Sequence, residues 1–223
     1  MEIPIQTILA AALPVFLLLF LGAFLRRTGV LAVESDGSLM KLVIRVLYPC
    51  LILDFILGNP ALDHMGNLVA APLAGFLAVS LGFAVAYLVG RSLGLVRGKG
   101  LRTFAYCSGI FNYGFIPIPV ILVLFDSREA LGVLLVHNMG VELAVWTCGI
   151  ILLAGRLERS SLKRLLNPPL IALVVALAVN FAGLDSRMPV WLDRFVEMLA
   201  ACSIPLGILL AGANIADLIR QQG

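Results

Sequence analysis

The sequence predicts an all-α integral membrane protein with about seven transmembrane helices. Of its 223 residues, 61% are hydrophobic and 13% are charged, whereas a soluble domain is about half apolar and a quarter charged. A soluble protein built on buried helices is disfavoured, because the polar residues to cover its core are missing. The apolar residues fall in seven runs, most of them near the roughly 20 residues that a bilayer-spanning helix needs. The runs lie near 5–25, 39–58, 68–90, 101–125, 130–154, 168–183 and 191–213.

Loop charges predict that the N-terminus lies outside and the C-terminus in the cytoplasm. Cytoplasmic loops carry an excess of Lys and Arg, and twelve basic residues follow runs 1, 3, 5 and 7. The opposite side holds three, Arg128, Arg187 and Arg194. The twelve are Arg26, Arg27, Lys41, Arg91, Arg97, Lys99, Arg102, Arg156, Arg159, Lys163, Arg164 and Arg220.

The first run is predicted to be a true span and not a cleaved signal peptide. No Lys or Arg precedes it, and it continues into Arg26 and Arg27 without a small-residue cleavage site. The cysteines lie within apolar runs and lack metal-ligand spacing, so free thiols and no metal site are predicted. They are Cys50, Cys107, Cys148 and Cys202.

The second and seventh runs share a pattern that suggests an internal repeat. Pro49 in YPCLIL and Pro205 in IPLGILL each interrupt a run and precede an aliphatic stretch. The two runs have opposite orientation and are five spans apart, as an inverted-topology repeat requires. Residues 1–155 would form one five-helix repeat, 156–167 a cytoplasmic linker, and 168–223 the first two helices of a second repeat. Asp54, near the outer end of run 2, is expected to be a solvated interfacial carboxylate.

The fourth run, LRTFAYCSGIFNYGFIPIPVILVLF, contains residues that break a helix. Pro117 and Pro119 lack an N–H and push the residues before them toward extended conformations. We therefore expect half-helices over roughly 101–111 and 119–126, joined by unwound backbone that cannot face lipid. A plain proline kink is the alternative. A half-helix N-terminus offers N–H groups and a positive dipole end, and Asn112 adds a neutral amide, so the segment suits a small polar or anionic group.

The fifth run contains the polar residues His137, Asn138 and Glu142. Asn138 and Glu142 are four residues apart and share a helix face. Ionisable residues within a membrane are rare and mark functional positions, so Glu142 is a candidate for proton or cation coupling. A carboxyl hydrogen-bonded into helix packing is the alternative. His137 is a second coupling candidate and equally suits a structural hydrogen bond.

Together, LPVFLLLFLGAFLRRTGVL, LYPCLIL, NYGFIPIP and NPPLIALVVAL resemble the auxin efflux carrier family of permeases across essentially all of the chain. The resemblance implies two inverted repeats of five helices, related in fold to the bile-acid sodium symporters. Helices 1, 2, 6 and 7 would form a scaffold that also makes a homodimer, and helices 3–5 and 8–10 a moving transport domain. The chain ends at residue 223, before the ninth helix of that pattern, so a partial chain is expected.

The resemblance also implies where a substrate binds, namely where the broken fourth and ninth helices cross. Family substrates are small organic anions, including auxin and dicarboxylates such as malonate. By position, Asn112 would meet the substrate carboxylate, and Asn138 would face the site. The neighbouring Tyr113 and Gly114 belong to the same candidate site, and Pro117 and Pro119 fall at the break.

These observations predict a secondary transporter of small organic anions, working by elevator-type alternating access in a plasma or bacterial inner membrane. Proton or sodium coupling is possible, and no cofactor or nucleic acid is expected. A non-transporting membrane scaffold, assembly partner or receptor is the alternative. A membrane enzyme is disfavoured, because the sequence has no His cluster, nucleophile–base pair or metal spacing.

Overall fold

The computed structural model describes residues 5–114, 116–125, 127–156, 166–184 and 188–222. Every named element of secondary structure in these ranges is a helix. The only β-type pairing among them is an isolated bridge of Val96 with Lys99 and Gly100 in a turn. This confirms the all-α prediction. Of the predicted linker 156–167, residues 157–165 lie outside the described ranges, as does Arg187.

Eight helices are described, and they are labelled here in chain order. They are α1 (Ile5–Arg27), α2 (36–56), α3 (Met65–Ser92), α4 (Leu101–Gly109), α5 (Pro117–Phe125), α6 (Arg128–Ala154), α7 (Pro168–Phe181) and α8 (Val190–Gln222). Short 3-10 turns, Val33–Ser35 and Pro60–Leu62, precede α2 and α3.

Three of the described helices are long and apolar enough to cross a membrane: α3, α6 and α8. The apolar α7 is shorter, with 14 residues. These helices identify a membrane protein. The count of seven spans, their orientation and the repeat remain predictions.

The two prolines that suggested a repeat sit in different surroundings. Pro49 follows a π turn at Val43–Leu47. There the Tyr48 N–H bonds to the Val43 carbonyl, five residues earlier. The widened turn thereby accommodates Pro49, which has no N–H to donate to the helix. Pro205, in contrast, lies within α8, which continues as one α-helix from Val190 to Gln222. The expectation that both prolines interrupt their helices in the same manner is therefore wrong.

The helices pack in two groups that meet between α2 and α6. In the first, α1 lies along α8, and α2 packs against α7 and α8. In the second, α3 packs against α4 and α6. The short α5 contacts both α1 and α6. The largest apolar core joins the two groups, with the buried Ile56 of α2, Leu131 of α6 and Leu173 of α7.

Glycines let the longest helix pairs approach closely. A methyl group at Gly140 of α6 would overlap the Pro72 carbonyl of α3, and one at Gly75 of α3 would overlap the His137 carbonyl of α6. Small residues of this kind let backbones touch where lipid gives no hydrophobic drive for association. These contacts hold α6, which carries the polar residues of run 5, firmly against α3.

Candidate functional site

The fourth run is broken as the sequence predicts, with slightly different bounds. Helix α4 ends at Gly109, Ile110 is extended, and α5 begins at Pro117. The second half-helix starts two residues earlier than expected, because proline without an N–H fits a first helical turn. The backbone between the two helices carries Asn112, Tyr113 and Gly114.

Asn112 closes the N-terminus of α5. Its side-chain oxygen accepts hydrogen bonds from the N–H groups of Gly114 at 3.3 Å and Ile116 at 3.4 Å. The N–H of Ile118 bonds to the Gly114 carbonyl, and the prolines at 117 and 119 have none to offer. The expectation of free N–H groups at this half-helix N-terminus is therefore wrong. Among the described groups at this N-terminus, the side-chain donor left for a ligand is the Asn112 amide nitrogen.

Tyr113 and Trp146 hold the carboxylate of Glu142 from two sides. The Tyr113 hydroxyl donates to Oε1 at 2.8 Å, and the Trp146 indole N–H donates to Oε2 at 2.9 Å. The indole N–H can only donate, whereas the Tyr113 hydroxyl can donate or accept, so the geometry fits either protonation state of the carboxyl group. The arrangement ties the broken segment to α6 and is compatible with both interpretations of Glu142 given by the sequence.

Two cavities adjoin this hydrogen-bonded group. The larger, of ≈ 520 Å³, is called the Asn112 cavity. The smaller, of ≈ 70 Å³, is called the Asn138 cavity and has room for only a few water molecules. The two cavities share the lining residues Tyr48, Tyr113, Glu142, Asn167 and Pro169.

Asn138 lies at the smaller cavity, near the Tyr48 hydroxyl. Its side chain is buried, and its amide nitrogen has no hydrogen-bond partner of good geometry within the described structure. Its oxygen lies 3.3 Å from Nδ1 of His137. A buried unpaired amide donor is costly, so this nitrogen is suited to a polar atom or water in the Asn138 cavity.

The structure brings together most of the predicted site residues and separates three from them. Asn112, Tyr113, Gly114 and Glu142 line the larger cavity, and Asn138 lines the smaller one. Pro117, Pro119 and His137 line neither. The prolines act through the backbone, by forcing the break that places Asn112 and Tyr113.

Sequence reasoning missed three further residues at the site, Tyr48, Trp146 and Asn167. Asn167 caps α7 by accepting from the Leu170 N–H at 2.9 Å, and the α7 N-terminus faces both cavities through Asn167 and Pro169. The Asn-Pro-Pro pattern signals such a capped helix start. Tyr48 follows the π turn of α2, and π turns are frequent at functional sites.

Asp54 differs from its prediction as a solvated carboxylate. Its side chain is only 9% exposed and pairs with Arg128 at 2.8 Å. The guanidinium of Arg128 also lies 4.5 Å from the centre of the Phe55 ring. This cluster ties α2 to the start of α6 at the end of the molecule away from Arg26 and Arg220.

Known proteins match this chain over most of its length. Residues 7–163 match the protein family described as Membrane transport protein. An uncharacterized transporter of Methanothermobacter thermautotrophicus is 29% identical over 208 residues, which cover 91% of this chain and 66% of the relative. An uncharacterized transporter of Methanocaldococcus jannaschii is 25% identical over 215 residues, covering 94% and 69%. The chain thus spans about two thirds of the length of the curated relatives that it matches.

Proposed function

The chain belongs to the Membrane transport protein family, the auxin efflux carriers that its sequence resembles, and on this premise we propose that it is a secondary transporter of small organic anions. The observation that carries the proposal is the Asn112 cavity. It lies at the helix break, holds polar groups within an apolar frame, and is lined from both helix groups. Sites of this kind, near discontinuous helices, are where transporters bind substrates and ions.

The cavity can attract an anion without containing a fixed positive charge. A Lys or Arg at the bilayer centre costs roughly 2.5–3.5 kcal/mol on insertion scales. The Asn112 amide provides a donor, and the positive dipole ends of α5 and α7 provide favourable potential, without that cost. One hydrogen bond from the amide to a carboxylate contributes about 1.5–3 kcal/mol. Tyr113, Gly114 and Asn138 complete the proposed binding region.

Glu142 is the proposed coupling residue, with His137 as a second candidate. Glu142 lines the Asn112 cavity, so its ionised form repels an anion bound there. Two like charges about 8 Å apart repel by about 2 kcal/mol with an effective dielectric constant of about 20. Protonation removes this repulsion, so a proton and an organic anion favour each other's binding. Because Tyr113 bonds directly to Glu142, a change at the carboxyl reaches the broken segment in one step. Sodium coupling is the alternative.

The packing supports an elevator-type movement. The helices α3, α4 and α6 form one group and α1, α2, α7 and α8 the other, and both contribute residues to the cavity. Sliding of the first group against the second would change the side from which the cavity opens. We further propose that the protein resides in the cell membrane as a homodimer formed through α1, α2, α7 and α8.

Binding of labelled carboxylate anions to the purified chain tests the proposal. A panel containing malonate and an indole carboxylate would be measured with wild type, Asn112→Ala and Asn214→Ala. Asn214 is exposed on α8 and provides a matched amide control. We expect saturable binding of one anion class, weakened about tenfold or more by Asn112→Ala and unchanged by Asn214→Ala. Absence of saturable binding across the panel, or equal binding by both variants, would reject the proposal.

Uptake into proteoliposomes tests the coupling. An inward proton gradient should accelerate anion uptake by wild type. Glu142→Gln mimics the protonated side chain, so it should retain binding and lose the acceleration. Acceleration that persists in Glu142→Gln would move proton coupling to His137, which His137→Gln tests. Uptake driven by a sodium gradient and not by a proton gradient would establish the sodium alternative.

A further inference from the structure

A continuous groove runs along α1 and α8, away from the Asn112 cavity. Its apolar part, of ≈ 400 Å³, is walled by Phe16, Phe20 and Phe24 of α1 and by Ile215 and Ile219 of α8. Its polar part, of ≈ 550 Å³, lies at the C-terminal ends of both helices. The two parts share Arg27, Ala216 and Ile219, so they form one surface with an apolar and a basic end.

Small residues create the floor of this groove. A methyl group at Gly22 would overlap the Leu209 carbonyl, and one at Gly212 would overlap the Leu19 carbonyl. The two backbones therefore touch, and Gly212 and Ala216 are buried between them. The walls are exposed, with Phe20 at 70% and Ile219 at 60%. The groove is therefore an open cleft on the protein surface and not a cavity in its core.

The arginines at the polar end of the groove differ in whether they form ion pairs. Arg26 is buried, pairs with Asp36 and with Asp217 at 3.1 Å, and donates to the Leu31 carbonyl at 2.7 Å. Arg27 and Arg220 are exposed, and neither is seen in an ion pair among the described residues. Glu34 also lies close enough to act on Arg26, so acidic neighbours neutralise this buried arginine. The exposed guanidinium groups of Arg27 and Arg220 can hold the oxygens of a single phosphodiester.

The length of the groove matches one leaflet of a bilayer. Arg27 is the last residue of α1, and Phe16 lies eleven residues before it, or about 16 Å at 1.5 Å per residue. Half of a ~30 Å hydrocarbon core is about 15 Å. We propose that this groove binds an anionic phospholipid, whose phosphate contacts Arg27 and Arg220 and whose acyl chain lies along Phe20, Phe24 and Ile219.

Charge argues against a second copy of the chain in the same groove. A two-fold contact there would bring the arginine pairs of both copies together, and like charges across an interface are unfavourable. A soluble phosphate would contact the arginines and leave the aromatic walls of the apolar end uncovered. A phospholipid would contact the arginines through its phosphate and the aromatic walls through its acyl chain. The proposed homodimer would then use faces of α1 and α8 outside the groove, and the inference is independent of the substrate and coupling proposed above.

The experiment measures lipid binding to the purified full chain in mild detergent, by native mass spectrometry and thermal unfolding. Phosphatidylglycerol would be compared with phosphatidylcholine of the same acyl chains and with soluble glycerol phosphate. The variants are Arg27→Gln/Arg220→Gln, which removes the phosphate contacts, and Ile215→Trp, which fills the apolar wall without a charge change. Lys41→Gln/Arg91→Gln removes two basic residues outside the groove and is the control.

We expect phosphatidylglycerol to be retained preferentially and to raise the unfolding temperature. The arginine double variant should bind it about thirtyfold more weakly, since each basic side chain near the membrane surface contributes roughly a fivefold factor. Ile215→Trp should also weaken binding, and the control should not. Equal retention of both lipids would overturn the inference. So would an effect reproduced by glycerol phosphate and insensitive to Ile215→Trp, or a dimer that forms through the groove without lipid.

Discussion

Replacing Asn112 by Asp should separate the two tasks of this side chain. Its oxygen receives the N–H groups of Gly114 and Ile116 at 3.3 and 3.4 Å, and its amide nitrogen is the proposed donor to the substrate. Asp keeps the acceptor, and its negative charge suits the N-terminus of α5. Ala loses both functions. The two substitutions should therefore rank differently for folding and for binding.

The stability effects follow from the length of the two hydrogen bonds. Both are at or beyond the long end of the N–H···O range, so their loss in Asn112→Ala should cost about 0.5–1 kcal/mol, at the low end for helix capping. For a protein of this size, that lowers the unfolding temperature by about 1–4 °C. Asn112→Asp should unfold within about 1 °C of wild type.

Binding should follow the opposite order. Losing one hydrogen bond to a charged group costs about 1.5–3 kcal/mol, so Asn112→Ala should bind the anion about 10–150-fold more weakly. In Asn112→Asp, repulsion adds about 3 kcal/mol at 5 Å with an effective dielectric constant of 20, which is a further hundredfold. Thermal unfolding and anion binding would be measured on the same preparations. If affinity simply followed stability, with Asn112→Asp binding as well as wild type, Asn112 would be a capping residue and nothing more.

Three further outcomes follow from the packing and the loop charges. Gly140→Ala should destabilise the protein by about 1–3 kcal/mol, because the new methyl group meets the Pro72 backbone. The control Gly66→Ala, with open space around it, should not. Equal unfolding temperatures for the two variants would contradict this packing. Asp54→Asn should cost no more than about 1 kcal/mol in the free energy of chemical unfolding, since Arg128 is 61% exposed, and a loss above about 3 kcal/mol would show that the pair is more than a surface contact. In cells producing a variant with Cys107 and Cys202 replaced by Ser, an impermeant thiol reagent added outside should label Asp63→Cys and not Ser92→Cys, and the reverse pattern would invert the predicted orientation.

The sequence was most informative where composition and backbone chemistry decide the structure. Seven apolar runs and few charges indicated a helical membrane protein, and Pro117 and Pro119 located the break to within two residues. Proline geometry is local, so it can be inferred without knowing what surrounds it. The same local rule failed for Pro205, because a long helix packed along its neighbours tolerates one missing hydrogen bond.

The features of the site that the sequence did not predict depend on tertiary contacts. That Tyr113 meets Glu142, 29 residues away, depends on how the unwound segment folds back onto α6. Asn59, in the loop after α2, is buried and donates to the Phe55 carbonyl, a contact that its position in the sequence does not reveal. Asn167 could have been found from its Asn-Pro-Pro context, since that pattern marks a capped helix start. Its position at the cavity required the packing of α7 against α2.

Substrate protection of Gly114→Cys tests the central claim most directly. Gly114 lines the Asn112 cavity, and a Cβ atom there would meet no atom within 4 Å, so a cysteine should be tolerated and should react. In the variant with Cys107 and Cys202 replaced by Ser, the rate of thiol modification would be measured with and without the anion identified by binding. A saturating anion should slow modification at position 114 in proportion to occupancy and leave Asp63→Cys unaffected. An unchanged rate at position 114, with the anion demonstrably bound, would place the substrate elsewhere and contradict the account.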